Sequence, residues 1–257
     1  MIRKLLLGLM LAQLAFNAGA ADLAREQRLH DQIVDAIFDG EPLMLEADGH
    51  EFLSIYTEAD DAKTALLILH GRGYHPDHAS VANPLRVGLA EAGWNTLSIQ
   101  LPVLEKSAKY YDYVPIFDEA IPRIDAALEF LREQGNTRIV MIAHSCGSHM
   151  ALHYVRQKGE DGFDGFVGIG MGATDYKQPM RQALPLDSMQ IPLLDIYGSD
   201  DYPAVQRLAA IRQQQMQDEG NPLNRQVVVA DADHYFVDRG EALSEVIAQW
   251  LQRLQAQ

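Results

Sequence analysis

Six short apolar runs alternate with longer amphipathic stretches, and this alternation constrains the fold more than any other feature of the sequence. The runs cover residues 65–69, 96–101, 139–143, 166–170, 193–197 and 227–230. Between and after them, apolar residues at helical spacing predict helices near residues 79–92, 115–134, 147–158, 203–218 and 240–255. Strands that are apolar throughout must be covered on both faces. The pattern therefore predicts an α/β fold with a mostly parallel sheet and helices on both sides.

The chain ahead of these runs predicts two further strands and one more helix. Residues 43–45 and 52–56 are mostly apolar, and an Asp-Gly pair between them is a common hairpin signal. An antiparallel hairpin here gives a sheet of about eight strands. Apolar residues at helical spacing predict an N-terminal helix within residues 21–41. A length of 257 residues suits one such domain, which we expect to span residues 42–257.

Residues 1–20 have the order of a secretory signal peptide. Arg3 and Lys4 precede an apolar run over residues 5–16, and small residues follow up to Ala20. The run is shorter than the ~20 residues that a membrane-spanning helix needs. The alternative is a buried N-terminal helix. We expect a periplasmic or secreted protein without an integral membrane span, cleaved near Ala20.

Charge and histidine spacing exclude several classes of partner. The chain has 21 Lys+Arg against 36 Asp+Glu, a formal net charge of −15, so it should repel nucleic acid and anionic lipid. His75 and His78, and likewise His149 and His153, have spacings that a metal could use, but neither pair has an adjacent third ligand. We expect no metal and no cofactor. The oligomeric state is left open by the sequence.

Ser145 follows an apolar strand and precedes a helix, which is where a nucleophile is projected from a sharp turn. Ala143 and Gly147, two residues before and after it, are small, as the crowded backbone of such a turn requires. The alternatives are an ordinary helix-capping serine and Cys146 as the nucleophile, since a thiol is intrinsically stronger. A turn centred on Cys146 would place a histidine in the crowded position, which favours Ser145.

Two other strand ends carry the groups that a serine nucleophile needs. Asp201 is the preferred acid to orient an imidazole, Asp200 is the reserve, and Asp195, within the strand, is the weaker candidate. His234 follows the last strand and is the candidate base. The order Ser145, Asp201, His234 matches that of hydrolases with a nucleophile elbow.

Two loops supply candidate groups for the substrate. The backbone amides of Arg72 and Cys146 are the candidate donors of an oxyanion hole. Tyr110, Tyr111 and Tyr113 are candidates to line an acyl or aromatic pocket. The alternative for these tyrosines is a partly exposed loop packed by their ring edges.

These motifs together resemble the α/β-hydrolase superfamily over residues 42–257. The resemblance rests on His70-Gly71-Arg72, Ala143-His144-Ser145-Cys146-Gly147, Gly198-Ser199-Asp200-Asp201 and His234. More narrowly, the chain resembles a family of exported bacterial α/β-hydrolase-like proteins of uncharacterised function, on residues 70–77, 83–86 and 93–102. The resemblance implies an α/β-hydrolase fold. About twenty residues separate Gly172 from Pro192, too few for a large cap domain.

The expected activity is hydrolysis of a carboxylic ester or thioester through an acyl-enzyme on Ser145. The substrate would be a small-molecule or lipid-like acyl compound. Two alternatives remain. One is a hydrolase-fold binding or scaffold protein of the cell envelope with little turnover, because fold does not establish function. The other is a hydrolase or acyltransferase assisted by the Cys146 thiol.

Overall fold

One eight-stranded sheet organises the chain in the computed structural model, which describes residues 20–256. The strands are β1 (Glu41–Ala47), β2 (His50–Thr57), β3 (Thr64–Leu69), β4 (Asn95–Ile99), β5 (Arg138–His144), β6 (Gly165–Ile169), β7 (Leu193–Asp200) and β8 (Arg225–Asp233). The helices are α1 (Leu23–Ile33), α2 (Ala82–Glu91), α3 (Tyr110–Tyr113), α4 (Ala120–Glu133), α5 (Cys146–Lys158), α6 (Pro203–Glu219) and α7 (Gly240–Gln255). The predicted signal segment, apart from Ala20, lies outside the described residues.

The strand order confirms the predicted fold class. The strands lie in the order β1-β2-β4-β3-β5-β6-β7-β8. β2 is antiparallel to both of its neighbours, β1 and β4, and every other neighbouring pair is parallel. The predicted N-terminal hairpin is therefore β1–β2. The parallel strands place their carboxyl ends along one edge, where ligands bind in open α/β sheets.

Both faces of the sheet are covered because successive side chains of the central strands alternate between two cores. In β3, Leu67 and Leu69 pack in one core with residues of α4 and α5, whereas Leu66 and Ile68 pack in the other with residues of α2 and α7. All four leucine and isoleucine side chains are at most 1% exposed. Burial of each contributes about 1.5–3 kcal/mol, so this one strand ties both helical layers to the sheet.

Two segments refine the sequence predictions. The predicted helix over residues 115–134 begins as a 3-10 helix, Val114–Glu119, and continues as α4. Residues 170–192, between β6 and β7, contain only turns and irregular backbone, in agreement with the expectation of no large cap. In the described part of the chain, every helix is too short or too polar to cross a lipid bilayer.

Candidate active site

The backbone turns sharply at Ser145, between the end of β5 and the start of α5. Ser145 has φ 54° and ψ −118°, a region that non-glycine residues rarely occupy. Its amide donates to the Ile169 carbonyl at 2.8 Å, which ties the turn to β6. A Cβ on Gly147 would lie 2.5 Å from the His70 oxygen and 2.8 Å from the Leu69 oxygen. The start of α5 therefore presses against the end of β3, and only glycine fits at position 147.

Ser145, His234 and Asp201 form one continuous chain of hydrogen bonds. His234 Nδ1 lies 2.6 Å from Asp201 Oδ1, and His234 Nε2 lies 2.8 Å from Ser145 Oγ. A carboxylate only accepts, so Nδ1 carries the proton and Nε2 is left to accept from the serine hydroxyl. The His234 and Asp201 side chains are at most 2% exposed, which shields this pairing from water.

The two other aspartates have different surroundings. Asp200 is exposed and pairs through its backbone with Asp233 of β8. Asp195 is fully buried and accepts from Arg212 Nε at 2.7 Å. The structure thus brings Asp201 to the imidazole and leaves Asp200 on the surface and Asp195 in a buried ion pair.

Tyr202 and His144, two aromatic residues whose contacts the sequence did not reveal, hold His234 in place. The Tyr202 ring stacks on the imidazole, with centroids 4.2 Å apart and planes 18° from parallel, and its hydroxyl lies 2.6 Å from that of Tyr235. His144 Nε2 donates to the His234 carbonyl at 2.9 Å. Burial lowers the pKa of His144 to about 3, so the ring stays neutral. Their adjacency in sequence to Asp201 and Ser145 is the only signal that could have found them.

The predicted oxyanion donors lie beside the serine. A Cβ on Gly71 would lie 3.5 Å from Ser145 Cβ, so the loop after β3 reaches the nucleophile. Arg72 and Cys146 line the same cleft as Ser145. Neither amide forms a backbone hydrogen bond with another described residue, so both remain available to an oxyanion. The Arg72 guanidinium is paired with Asp175.

The Cys146 thiol is not set up as a nucleophile. Its side chain packs in the core that contains α4 and α5 and is 6% exposed. Burial raises its pKa to about 12, so the thiol stays protonated at neutral pH. The imidazole that could activate it is already bonded to Ser145.

A cleft of about 650 Å³ opens above Ser145. Five tyrosines line it: Tyr74, Tyr110, Tyr176, Tyr202 and Tyr235. The remaining wall comes mainly from residues 173–179, in the segment between β6 and β7, and from the start of α6. The irregular segment between β6 and β7 thus forms one side of the cleft.

The structure corrects the predicted pocket tyrosines in two of three cases. Tyr110 lines the cleft, but Tyr111 and Tyr113 do not. Tyr113 is 1% exposed, and its hydroxyl accepts from the Leu104 amide at 2.9 Å. The Tyr111 ring lies 3.9 Å from the Arg181 guanidinium. Each step along a helix turns the side chain by about 100°, so neighbours in α3 point in different directions.

The four histidines with metal-like spacing make other contacts in the structure. His149 Nε2 donates to the Ala173 carbonyl at 2.9 Å, and His153 Nε2 bonds Asp118 at 2.7 Å. His75 and His78 pack ring edge to ring face, with centroids 5.5 Å apart. Within residues 20–256, no group of three or more histidine, cysteine or acidic side chains is placed to hold a metal ion.

Comparisons with known proteins agree with this fold. A sequence model of the family described as "Protein of unknown function (DUF3530)" matches residues 9–113 and 116–253. No curated protein matches the chain.

Solved α/β hydrolases superpose on most of the chain. Est1E from Butyrivibrio proteoclasticus with bound ferulic acid has a TM-score of 0.67 at 12% identity, covering 84% of this chain and 100% of that one. XC6422 from Xanthomonas campestris, a serine hydrolase without a lid, has a TM-score of 0.63 at 15% identity, covering 85% and 96%. Dienelactone hydrolase from Anabaena variabilis has a TM-score of 0.61 at 17% identity, covering 84% and 98%. At such identities the likeness establishes the α/β-hydrolase fold alone.

Proposed function

We propose that this chain, which belongs to the DUF3530 family, is an exported serine hydrolase that cleaves carboxylic ester or thioester bonds. The observation that carries the proposal is the unbroken series of hydrogen bonds from Ser145 Oγ through His234 to Asp201. It lies in an open cleft, beside two backbone amides that donate to no backbone carbonyl of the described residues. Export rests on the order of residues in the first twenty positions.

The arrangement supports an acyl-enzyme mechanism. As Ser145 attacks the acyl carbonyl, His234 Nε2 takes the hydroxyl proton, and Asp201 holds the imidazole in the required tautomer and stabilises its positive charge. The Arg72 and Cys146 amides would bind the developing oxyanion, a contribution of roughly 3–4 kcal/mol per donor. His234 then protonates the leaving alcohol or thiol, and water releases the acyl group by the same steps in reverse.

The cleft supports a small substrate with an apolar or aromatic group. Five tyrosine rings offer flat, largely apolar walls with polar edges. Est1E, which shares the fold, has been solved with ferulic acid bound, and an aryl acyl group is one ligand that such walls would accept. A lipid-like acyl chain would contact the same rings.

The test is hydrolysis of p-nitrophenyl acetate, p-nitrophenyl butyrate and a short acyl thioester by the chain beginning at Ala21. We expect measurable turnover, reduced about 10⁴-fold or more in Ser145→Ala. Cys146→Ala keeps its backbone amide and should retain activity within about tenfold, since only a buried thiol is removed.

Two results would contradict the proposal. A folded wild-type protein that hydrolyses none of these substrates favours the binding or scaffold protein. Activity lost in Cys146→Ala but retained in Ser145→Ala favours the thiol as the nucleophile.

A further inference from the structure

The backbone nitrogen of Ala21 is held by a carboxylate nearly a hundred residues away. It donates to both oxygens of Glu119, at 3.2 and 3.1 Å, in a half-buried position. The next amide, that of Asp22, donates to the Val103 carbonyl at 2.7 Å. Ala21 is also the first residue after Ala20, where the predicted signal peptide ends. The chain is therefore fastened to the domain at the bond where cleavage is expected.

Glu119 lacks a positive partner in the part of the chain that the structure describes. No lysine, arginine or histidine forms a salt bridge with it. A second carboxylate, Glu26, lies close by and is paired with Arg123 at 2.8 Å. The pKa of Glu26 is raised, chiefly by burial, and the negative charge of Glu119 adds to that rise. The site thus has surplus negative charge facing the Ala21 nitrogen.

We propose that cleavage between Ala20 and Ala21 creates an ammonium group for which Glu119 is the built acceptor. A leader peptidase would add water across the peptide bond: the C–N bond breaks, the hydroxyl stays on the Ala20 carboxyl, and the freed Ala21 amine is protonated. A neutral amide held by two oxygens then becomes an ion pair with the same carboxylate, which is the stronger kind of hydrogen bond. The inference rests on the proposed export of the chain and is independent of its proposed chemistry.

The ion pair would also support the candidate active site through α1. Three residues after Asp22, the Arg25 Nη2 group donates to the Gly73 carbonyl at 2.9 Å, and Nη1 bonds the Leu104 carbonyl. Gly73 directly follows Arg72, whose amide is a candidate oxyanion donor. An ion pair at the new N-terminus would hold the start of α1 in place. Through its hydrogen bond to the Gly73 carbonyl, Arg25 would in turn hold the loop after β3, which contains Arg72.

The first experiment locates the N-terminus. The full chain is expressed with export in a bacterial host, recovered from the periplasm and its mass measured intact. We expect a chain that begins at Ala21. A mature chain that begins at any other residue overturns the proposal.

The second experiment measures the ion pair by thermal unfolding. The chain beginning at Ala21 is compared with the same chain acetylated on the Ala21 nitrogen, each as wild type, Glu119→Gln and Glu129→Gln. Glu129 is exposed on α4 and is the matched control. We expect acetylation to lower the Tm by about 2–4 °C in wild type and in Glu129→Gln, the shift for one partly buried ion pair in a chain of this size. In Glu119→Gln the effect of acetylation should disappear.

Equal effects of acetylation in all three proteins, or no effect in any, would overturn the proposal. Neither readout uses ester hydrolysis. A protein that is inactive on every ester but shows this pattern of Tm values would refute the proposed hydrolase and leave the N-terminal site in place.

Discussion

Replacing Gly147 by alanine tests the contact that positions the nucleophile. The added Cβ would lie 2.5 Å from the His70 oxygen and 2.8 Å from the Leu69 oxygen. Both are backbone atoms at the end of β3, so no side-chain rotation relieves the clash. Ordinary carbon–oxygen contact requires the start of α5 to retreat by about 0.5–1 Å.

The displacement of α5 sets the expected losses of stability and of rate. Overpacking of this kind costs about 1–3 kcal/mol, which for a chain of this size lowers the Tm by about 2–12 °C. Because Ser145 lies two residues before Gly147, the retreat also moves the serine relative to the loop after β3. A misplacement of about 1 Å lowers the rate roughly 100-fold. We expect both losses in Gly147→Ala.

The assay is thermal unfolding together with kcat for p-nitrophenyl butyrate, and Gly88→Ala is the matched control. Gly88 also lies in a helix, but its added Cβ would meet the Ser244 side chain, with the hydroxyl oxygen at 3.2 Å. That hydroxyl can rotate away and loses only its 3.2 Å hydrogen bond to the Pro84 carbonyl. Alanine is the better helix former by about 1 kcal/mol, so the Tm should stay or rise slightly. A Tm and kcat of wild-type size in Gly147→Ala would show that the contact between Gly147 and the end of β3 does not position Ser145.

Asp201→Asn should lower kcat for ester hydrolysis by about 10³–10⁴-fold because it disturbs the imidazole tautomer, whereas Asp200→Asn should keep kcat within about threefold of wild type. Equal losses of kcat in the two variants would contradict Asp201 as the acid that orients His234. Burial raises the pKa of the Cys146 thiol to about 12. Iodoacetamide at pH 8 should therefore alkylate it at least about 100-fold more slowly in the folded chain than in urea. Equal alkylation rates, followed by mass spectrometry, would contradict this. Burial lowers the pKa of His70 and of His144 to about 3. Between about pH 6.5 and that value, the two rings are protonated only in the unfolded chain. Each ring therefore lowers the free energy of unfolding by about 1.4 kcal/mol for every pH unit below 6.5. The Tm should therefore fall steadily from pH 6.5 towards pH 4, and a flat Tm profile would contradict it.

Features encoded by short stretches of sequence could be predicted. The strands could be predicted because each one is a short apolar run that ends at its own turn residues. Small residues around Ser145 predicted the sharp turn because larger side chains would clash with the nearby backbone. Gly147 is an example, since a Cβ there would lie 2.5 Å from the His70 oxygen. The order of Ser145, Asp201 and His234 could be read because parallel strands end at a common edge.

Features that depend on distant segments could not be predicted. The stacking of Tyr202 on His234 and the bond from Arg25 to Gly73 join residues brought together only by the completed sheet. Asp200 and Asp201 are neighbours in sequence, and only the local path of the backbone decides which one reaches the imidazole. The side-chain directions in the one-turn helix α3 likewise depend on what packs around Tyr113.

Covalent labelling tests directly whether Ser145 is an activated nucleophile, without knowledge of the substrate. The chain beginning at Ala21 is treated with a fluorophosphonate probe beside Ser145→Ala, and the mass of the adduct and its position are determined. We predict one probe molecule per chain, attached to Ser145, and no labelling of Ser145→Ala. A folded wild-type protein that stays unlabelled, or a label that persists in Ser145→Ala, would contradict the account.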